Sequence, residues 1–287
     1  MPDKYNPIKR LSFVLIASIF LGELLIMLIF PFFGQLHAIA GVLLNVLLLS
    51  LITIPAVKFM MIRPAKKYIH DLESAQNTIQ VRENQMLGAL NALANAKDNA
   101  TGGHIIRTQQ YVRLLAQRVK SMGHHLQTLT DEHIEKLHKV APLHDIGKVG
   151  IPDQILKKMG PLTADEREVM KQHSLIGESI LLAAQLEEIE PDLLTTALKI
   201  AGCHHEKWDG TGYPRGLSGE SIPIEARIMA VADVFESLSS DRPYKKAWTF
   251  KESYELIVKG SGTAFDPVVV EAFIAEREGF EDLAKKH

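Results

Sequence analysis

Cysteine is nearly absent: Cys203 is the only one in 287 residues. A lone thiol cannot close an internal disulfide, so the fold must stand without cross-links, which suits a reducing compartment. Charge of one sign is lacking too. The 32 Lys and Arg against 34 Asp and Glu leave a net charge of −2, which argues against a polybasic nucleic-acid coat and a disordered acidic tail. Strand-like alternation is almost missing beyond residue 100. What is abundant is apolar residues, at 46%, and histidine, at twelve. A mean hydropathy of +0.03 is high for a chain with this many charges, so the apolar residues must be concentrated somewhere. The length allows about two units at about 150 residues each.

The apolar excess lies at the N-terminus. Leu11 to Phe33 is almost uninterrupted, and a second run extends from about Leu36 to Met61. Each is long enough to cross a hydrocarbon core of about 30 Å at about 1.5 Å per residue. With only the Gly34-Gln35 region between them, the pair reads as a transmembrane helical hairpin over 11–62, behind a cytoplasmic tail over 1–10. Lys4, Lys9 and Arg10 precede the first span, and Lys58, Arg63, Lys66 and Lys67 end the second. Both termini are therefore expected in the cytoplasm, with the lipid bilayer as a partner. The alternative is a cleaved signal peptide, for which Ala38-Ile39-Ala40 resembles a cleavage site; the first run exceeds the usual apolar region of such peptides. Glu23 and Asn45 lie within the spans. A carboxyl in lipid is costly, so Glu23 is either functional or else protonated or shielded by a helix partner.

Residues 63–85 read as a connecting helix. Leu72, Ile79, Met86 and Leu93 recur every seven residues, a narrow stripe suited to a parallel homodimer stalk. The other position of the heptad is poorly filled, with Leu90 its best occupant, so a single amphipathic helix packed on the next domain stays open.

From residue 86 to 287 the pattern is helical throughout, with apolar residues at i, i+3, i+4 in segments such as HIIRTQQYVRLLAQRV and TTALKIAGCHH. Gly and Pro cluster in two loops, Gly147 to Pro161 and Gly210 to Pro223. The fold class is all-α. Five histidines keep particular company: His104, His144, His173, His204 and His205. Asp145 follows His144, and Asp233 interrupts the otherwise apolar RIMAVADVF. A carboxylate in such a helix is costly unless paired or bound to a cation. Imidazoles with carboxylates suit iron, manganese, nickel or zinc better than calcium. Taken singly, each of these residues is more simply a satisfied structural one; the combination carries the reading. The remaining histidines have no such context, and Cys203 reads as a packed helix residue.

His144-Asp145-Ile146-Gly147-Lys148 resembles the HD signature of metal-dependent phosphohydrolases. His204-His205-Glu206-Lys207-Trp208-Asp209-Gly210-Thr211-Gly212-Tyr213-Pro214 resembles the long signature of the HD-GYP family. Supporting segments are Thr101-Gly102-Gly103-His104, the His173 region, RIMAVADVFESLSSDRPYKKA and FDPVVVEAF. The resemblance implies a helical HD-type phosphodiesterase that opens cyclic di-GMP, with either pGpG or GMP as the end product, in bacterial second-messenger signalling, which makes the membrane expected above the bacterial inner membrane. It implies a binuclear centre of two divalent transition-metal ions, iron or manganese first. His104, His144, Asp145 and Asp233 match positions around one ion; Asp145, His173, His204 and His205 match those around the other, with Asp145 bridging. Some members hold a third ion through a Glu where this chain has Ala100, so that route is missing. The family often has Asp at the position of Glu236.

Two cations close together lower the pKa of a bridging water, neutralise phosphate oxygens and hold hydroxide in line with the leaving oxygen. By resemblance Lys148 is catalytic beside Asp145, Tyr213 contacts the nucleotide, and Arg242 and Lys245 contact further substrate groups; a helix-start salt bridge is the equal alternative for the last two. The loop ending in Tyr213 is also a contact surface for cyclic di-GMP-making (diguanylate cyclase) domains in the family. No nucleic-acid polymer is expected as a partner. The competing readings are a phosphohydrolase for another cyclic dinucleotide and a weakly active nucleotide-sensing module.

Overall fold

The computed structural model describes residues 7–29, 38–98, 102–184, 191–240 and 246–285. Among these there are thirteen α-helices, and no strand forms beyond an isolated bridge between Ser261 and Phe265. The chain divides into two units, Met1–Arg82 and Glu83–His287.

In the first unit, α1 (Pro7–Ile29) packs on α2 (Ala38–Val57), and a π-helical turn over Lys58–Ile62 leads into α3 (Arg63–Asp98). Gly22 marks the close approach: a Cβ there would stand 3.0 Å from Leu49 Cδ2. Phe13, Phe20, Met27, Leu47 and Ile54 stay exposed, as does Glu23.

The membrane hairpin expected over 11–62, and with it the bilayer partner and the inner-membrane location, must be corrected. Among the described residues no helix is long and apolar enough to cross a membrane. α1 begins at Pro7, takes Lys9 and Arg10 into its first turn and carries Glu23; residues 30–33 of the first run lie outside the described residues. α2 ends at Val57 with Pro55 in its last turn, and the run toward Met61 passes into the π-helical turn that starts at Lys58.

Leu72 and Ile79 of the heptad stripe are exposed on α3. Further along the same helix, Leu87 is buried and Leu90 packs against the core of the second unit.

The second unit is built around α4 (Gly102–Ser121) and α10 (Ile224–Ser239). Thr108, Tyr111, Val112, Leu115, Ala116 and Val119 recur at three- and four-residue steps on α4, so one stripe of that helix is buried. α10 is buried on nearly every side. At their contact Tyr111 stacks on Phe280 with centroids 4.5 Å apart, and Phe235 meets the Tyr111 ring edge-on at 5.2 Å. α5 (Asp131–Val140), α8 (His173–Ala184) and α9 (Pro191–Cys203) close one side; α11 (Phe250–Lys259), α12 (Pro267–Ala275) and α13 (Arg277–Lys285) close the other. The short helices α6 (Asp153–Leu156) and α7 (Ala164–Lys171) lie between α5 and α8 in the chain.

Local chemistry sets the helix starts. Thr130 accepts the His133 N–H at the head of α5, and Thr163 with Glu166 and Thr249 with Glu252 form capping boxes on α7 and α11. Asp266 caps α12, whose first residue is Pro267, and also takes a 2.6 Å bond from buried Arg227.

Glu225 is fully buried at the head of α10. It meets His133 Nε2 at 3.1 Å and accepts from Lys199 Nζ at 2.8 Å, joining α5 and α9 to α10. Burial alone would raise its carboxyl, but the His133 and Lys199 bonds outweigh it and bring the pKa down to about 2. A carboxylate so depressed contributes stability that is complete above its unfolded value near 4.5 and is lost as pH falls toward 2. The gap corresponds to roughly 3 kcal/mol at one pH unit per 1.36 kcal/mol. Urea unfolding midpoints measured from pH 5 down to pH 2 should therefore fall more steeply for the wild type than for Glu225→Gln; parallel curves would contradict this.

Candidate metal centre

His144 and Asp145 lie on a 3₁₀ segment, Ala141–Gly150, that continues from α5. Three residues per turn places i and i+3 in line. Lys148 thus lies directly beside Asp145, with Nζ 2.7 Å from Oδ2. The other side of the segment rests on the start of α8. A Cβ on Gly147 would stand 1.8 Å from the His173 carbonyl oxygen and 2.4 Å from the Gly177 nitrogen. Only glycine permits that approach, and the approach brings His173 Nε2 to 3.4 Å from Asp145 Oδ1. His204 and His205 extend from the end of α9, and Asp233 reaches in from the middle of α10.

Three of the imidazoles are oriented by backbone carbonyls. His144 Nδ1 donates to Ala141 O at 2.8 Å, His173 Nδ1 to Met170 O at 2.7 Å, and His204 Nδ1 to Ile200 O at 3.0 Å. A carbonyl oxygen only accepts, so the proton of each neutral ring is on Nδ1 and the lone pair is on Nε2. The Nε2 atoms of His173 and His204 converge with that of His205. His173 Nε2 lies 3.4 Å from His204 Nε2 and 3.2 Å from His205 Nε2. The ligand nitrogens of His173, His204 and His205 fall within 4.8 Å of one another. His144 Nε2 is buried without a hydrogen-bond partner, 3.1 Å from Asp145 Oδ2 and 3.7 Å from Asp233 Oδ1. Facing lone pairs and a buried acceptor beside two carboxylates are what a bound cation resolves. The donor set fits a divalent transition metal.

The electrostatics agree. Burial alone would raise the Asp145 carboxyl, but Lys148 first and His144 next hold it well below the usual carboxylate range. Asp233 is likewise lowered against its burial, chiefly by His144. Burial pushes the His144 pKa down, yet Asp145 and Asp233 overcome this and lift it to about 10, so the ring without a cation takes a proton on Nε2, which a bound metal would replace. The pair of carboxylates draws positive charge into this spot. Burial and the neighbouring rings keep His204 neutral, and burial foremost lowers His205 to about 4.

A cavity of about 340 Å³ opens on this centre, lined by Asp145, His173, His205 and Asp233 and by the apolar Ile155 and Leu162. Tyr213 and Lys148 also line it. The Tyr213 ring stacks on His205 with centroids 4.7 Å apart, and Lys171 Nζ lies 5.6 Å from the Tyr213 ring centre. The loop is anchored by buried Glu206. One of its oxygens accepts the Arg215 N–H at 2.7 Å and the other the Leu217 N–H at 3.0 Å.

Of the residues singled out in the sequence, His144, Asp145, Lys148, His173, His204, His205, Tyr213 and Asp233 are joined in one site by these contacts. His104 meets α10 at Glu236, three residues beyond Asp233, with Nδ1 3.2 Å from Oε1. Ala100, Arg242 and Lys245 lie outside the described residues. Cys203 is buried, and burial raises its thiol to about 11, so it stays protonated.

Glu236 is the residue whose part sequence reasoning missed. It is fully buried, accepts from Arg107 Nη2 at 2.6 Å and Nε at 3.0 Å, and takes the Ser240 hydroxyl at 2.5 Å. Burial would raise its pKa; His104 and Arg107 together lower it. The signal that marked Asp233, a carboxylate in an apolar helix, marks Glu236 as well.

The family model for the HD domain matches residues 102–269. A cyclic di-GMP phosphodiesterase of Vibrio cholerae serotype O1 is 47% identical over 216 residues, which cover 75% of this chain and 44% of that protein. The cyclic di-GMP phosphodiesterase response regulator RpfG of Xanthomonas campestris pv. campestris is 39% identical, over 74% of this chain and 53% of its own. A 3′3′-cGAMP-specific phosphodiesterase 2 of Vibrio cholerae is also 39% identical, over 66% of this chain and 34% of its own. The chain thus spans about half, or less, of the length of these curated relatives.

The Gly147 seam makes a direct prediction. Gly147→Ala forces backbone apart, and overpacking of this kind costs about 3 kcal/mol. For a unit of this size that is a fall in Tm of roughly 6–12 °C, read by differential scanning calorimetry; an unchanged Tm would mean that the segment does not rest on α8.

Proposed function

This chain belongs to the HD domain family, and from that premise we propose that it is a metal-dependent phosphodiesterase that hydrolyses cyclic di-GMP to linear pGpG. The observation that carries the reading is the convergence of carbonyl-oriented imidazole nitrogens on two half-buried carboxylates at the wall of a cavity. His104, His144, Asp145 and Asp233 would hold one ion, and Asp145, His173, His204 and His205 the other. Bound there, divalent cations lower the pKa of water and offset the charge of a phosphodiester.

The chain's own groups do the rest. Asp145 offers one oxygen toward His144 and Lys148 and the other toward His173, so it faces both proposed positions. Lys148, on the cavity wall, places a compact cation where charge grows on the phosphate. Tyr213, stacked on His205, presents an aromatic surface for a nucleobase. Ile155 and Leu162, which also line the cavity, offer apolar surface to a base. By resemblance Arg242 and Lys245 would meet the second phosphate or a guanine edge. The exposed Leu72 and Ile79 support pairing of two copies through α3.

The relative named for 3′3′-cGAMP supports a second reading, in which this site takes that mixed dinucleotide. Purified protein loaded with Mn²⁺ or Fe²⁺ and offered each dinucleotide separates the two by product chromatography. Faster release of pGpG from cyclic di-GMP is expected. Metal-loaded protein that binds both and cleaves neither would sink both readings in favour of a nucleotide-binding module. Asp145→Ala should lose bound metal and turnover together, by elemental analysis and the same assay. Tyr213→Ala should raise KM about tenfold or more, as loss of base stacking does, with metal content unchanged.

A further inference from the structure

Three of the histidines at the centre are held by neutral carbonyls; His104 alone is held by a carboxylate. That carboxylate, Glu236, has no solvent exposure and is itself fixed by three donor groups: the Arg107 Nε, the Arg107 Nη2 and the Ser240 hydroxyl. Arg107 also donates to Ser240 Oγ at 2.9 Å, which closes the cluster. Arg107 is one turn from His104 on α4, and Glu236 is one turn from Asp233 on α10, so the cluster ties together the helix faces that carry those two groups.

We propose that Glu236, braced by Arg107, is a positioning residue that fixes His104 in the tautomer with its proton on Nδ1 and so secures the metal ion assigned to His104 and Asp233. The inference rests on the proposed function, because it takes His104 as a ligand. An ionised carboxylate only accepts, so the Nδ1 proton stays with the ring and the lone pair is left on Nε2. A carboxylate partner also strengthens imidazole as a donor more than a carbonyl does, and loss of such a partner weakens metal binding about 10- to 100-fold. The ion on the His104 side would then depend on Glu236, whereas the ion held by His173, His204 and His205 would not.

The test uses the full chain and Mn²⁺ alone. Bound Mn²⁺ is measured by equilibrium dialysis for the wild type, His104→Ala, Glu236→Gln with Arg107→Gln, and the triple variant. The paired substitution removes both charges, so no lone charge stays buried. The wild type should show two classes of site. The Glu236/Arg107 variant should weaken one class about 10- to 100-fold and leave the other. Adding His104→Ala should weaken that class by less than the separate effects combined. Wild-type affinity in the Glu236/Arg107 variant, with a class lost in His104→Ala, would overturn the proposal and leave the proposed function standing. Wild-type binding by His104→Ala would overturn the ligand assignment itself. Long-range ¹H–¹⁵N spectra of the unmutated chain give an independent reading: protonated Nδ1 on His104 is expected, and protonated Nε2 would refute the positioning role.

Discussion

Imidazole nitrogens that face one another at hydrogen-bond distance with no proton to share are unfavourable by themselves. Here His173 and His204 are held in that arrangement, with His205 Nε2 beside them, by bonds made on the far side of the first two rings and by the seat of α8 against the 3₁₀ segment. The helical unit invests its backbone carbonyls in orienting rings that would otherwise turn apart. Asp145 is bound to the same arrangement, since its two oxygens face different partners and Lys148 offsets its charge. The aromatic cluster of Tyr111, Phe235, Phe273 and Phe280 lets α10 lie buried on nearly every side, and α10 in turn delivers Asp233 and Glu236.

Much of this was legible in the sequence, because buried polar residues stand out against a periodic apolar background. Asp233 within RIMAVADVF and the His204-His205 pair at the end of an apolar helix are such residues, and both reach the site. The all-α class followed from the three- and four-residue spacing of segments such as the one that became α4.

Other features depended on contacts between distant residues. The stretch from Gly147 reads as a loop by composition, yet a 3₁₀ helix covers Ala141–Gly150 because Gly147 can lie on α8, and nothing local reveals that contact. Glu236 was legible by the same reasoning as Asp233, but its partner Arg107 lies 129 residues away in the sequence. At the N-terminus, hydropathy counted apolar residues without regard to where helices begin and end. Glu23 lies inside the first run, and the π-helical turn at Lys58 interrupts the second.

The contact at Gly147 has a consequence for how precisely the centre is spaced. Peptide there touches peptide, with no side chain interposed that could swing to another rotamer. The interval between Asp145 and His173 is therefore set by main-chain stiffness rather than by side-chain choice. Thermal motion that reshapes the rest of the cavity leaves this one ruler unchanged, and it moves only if the two helices part.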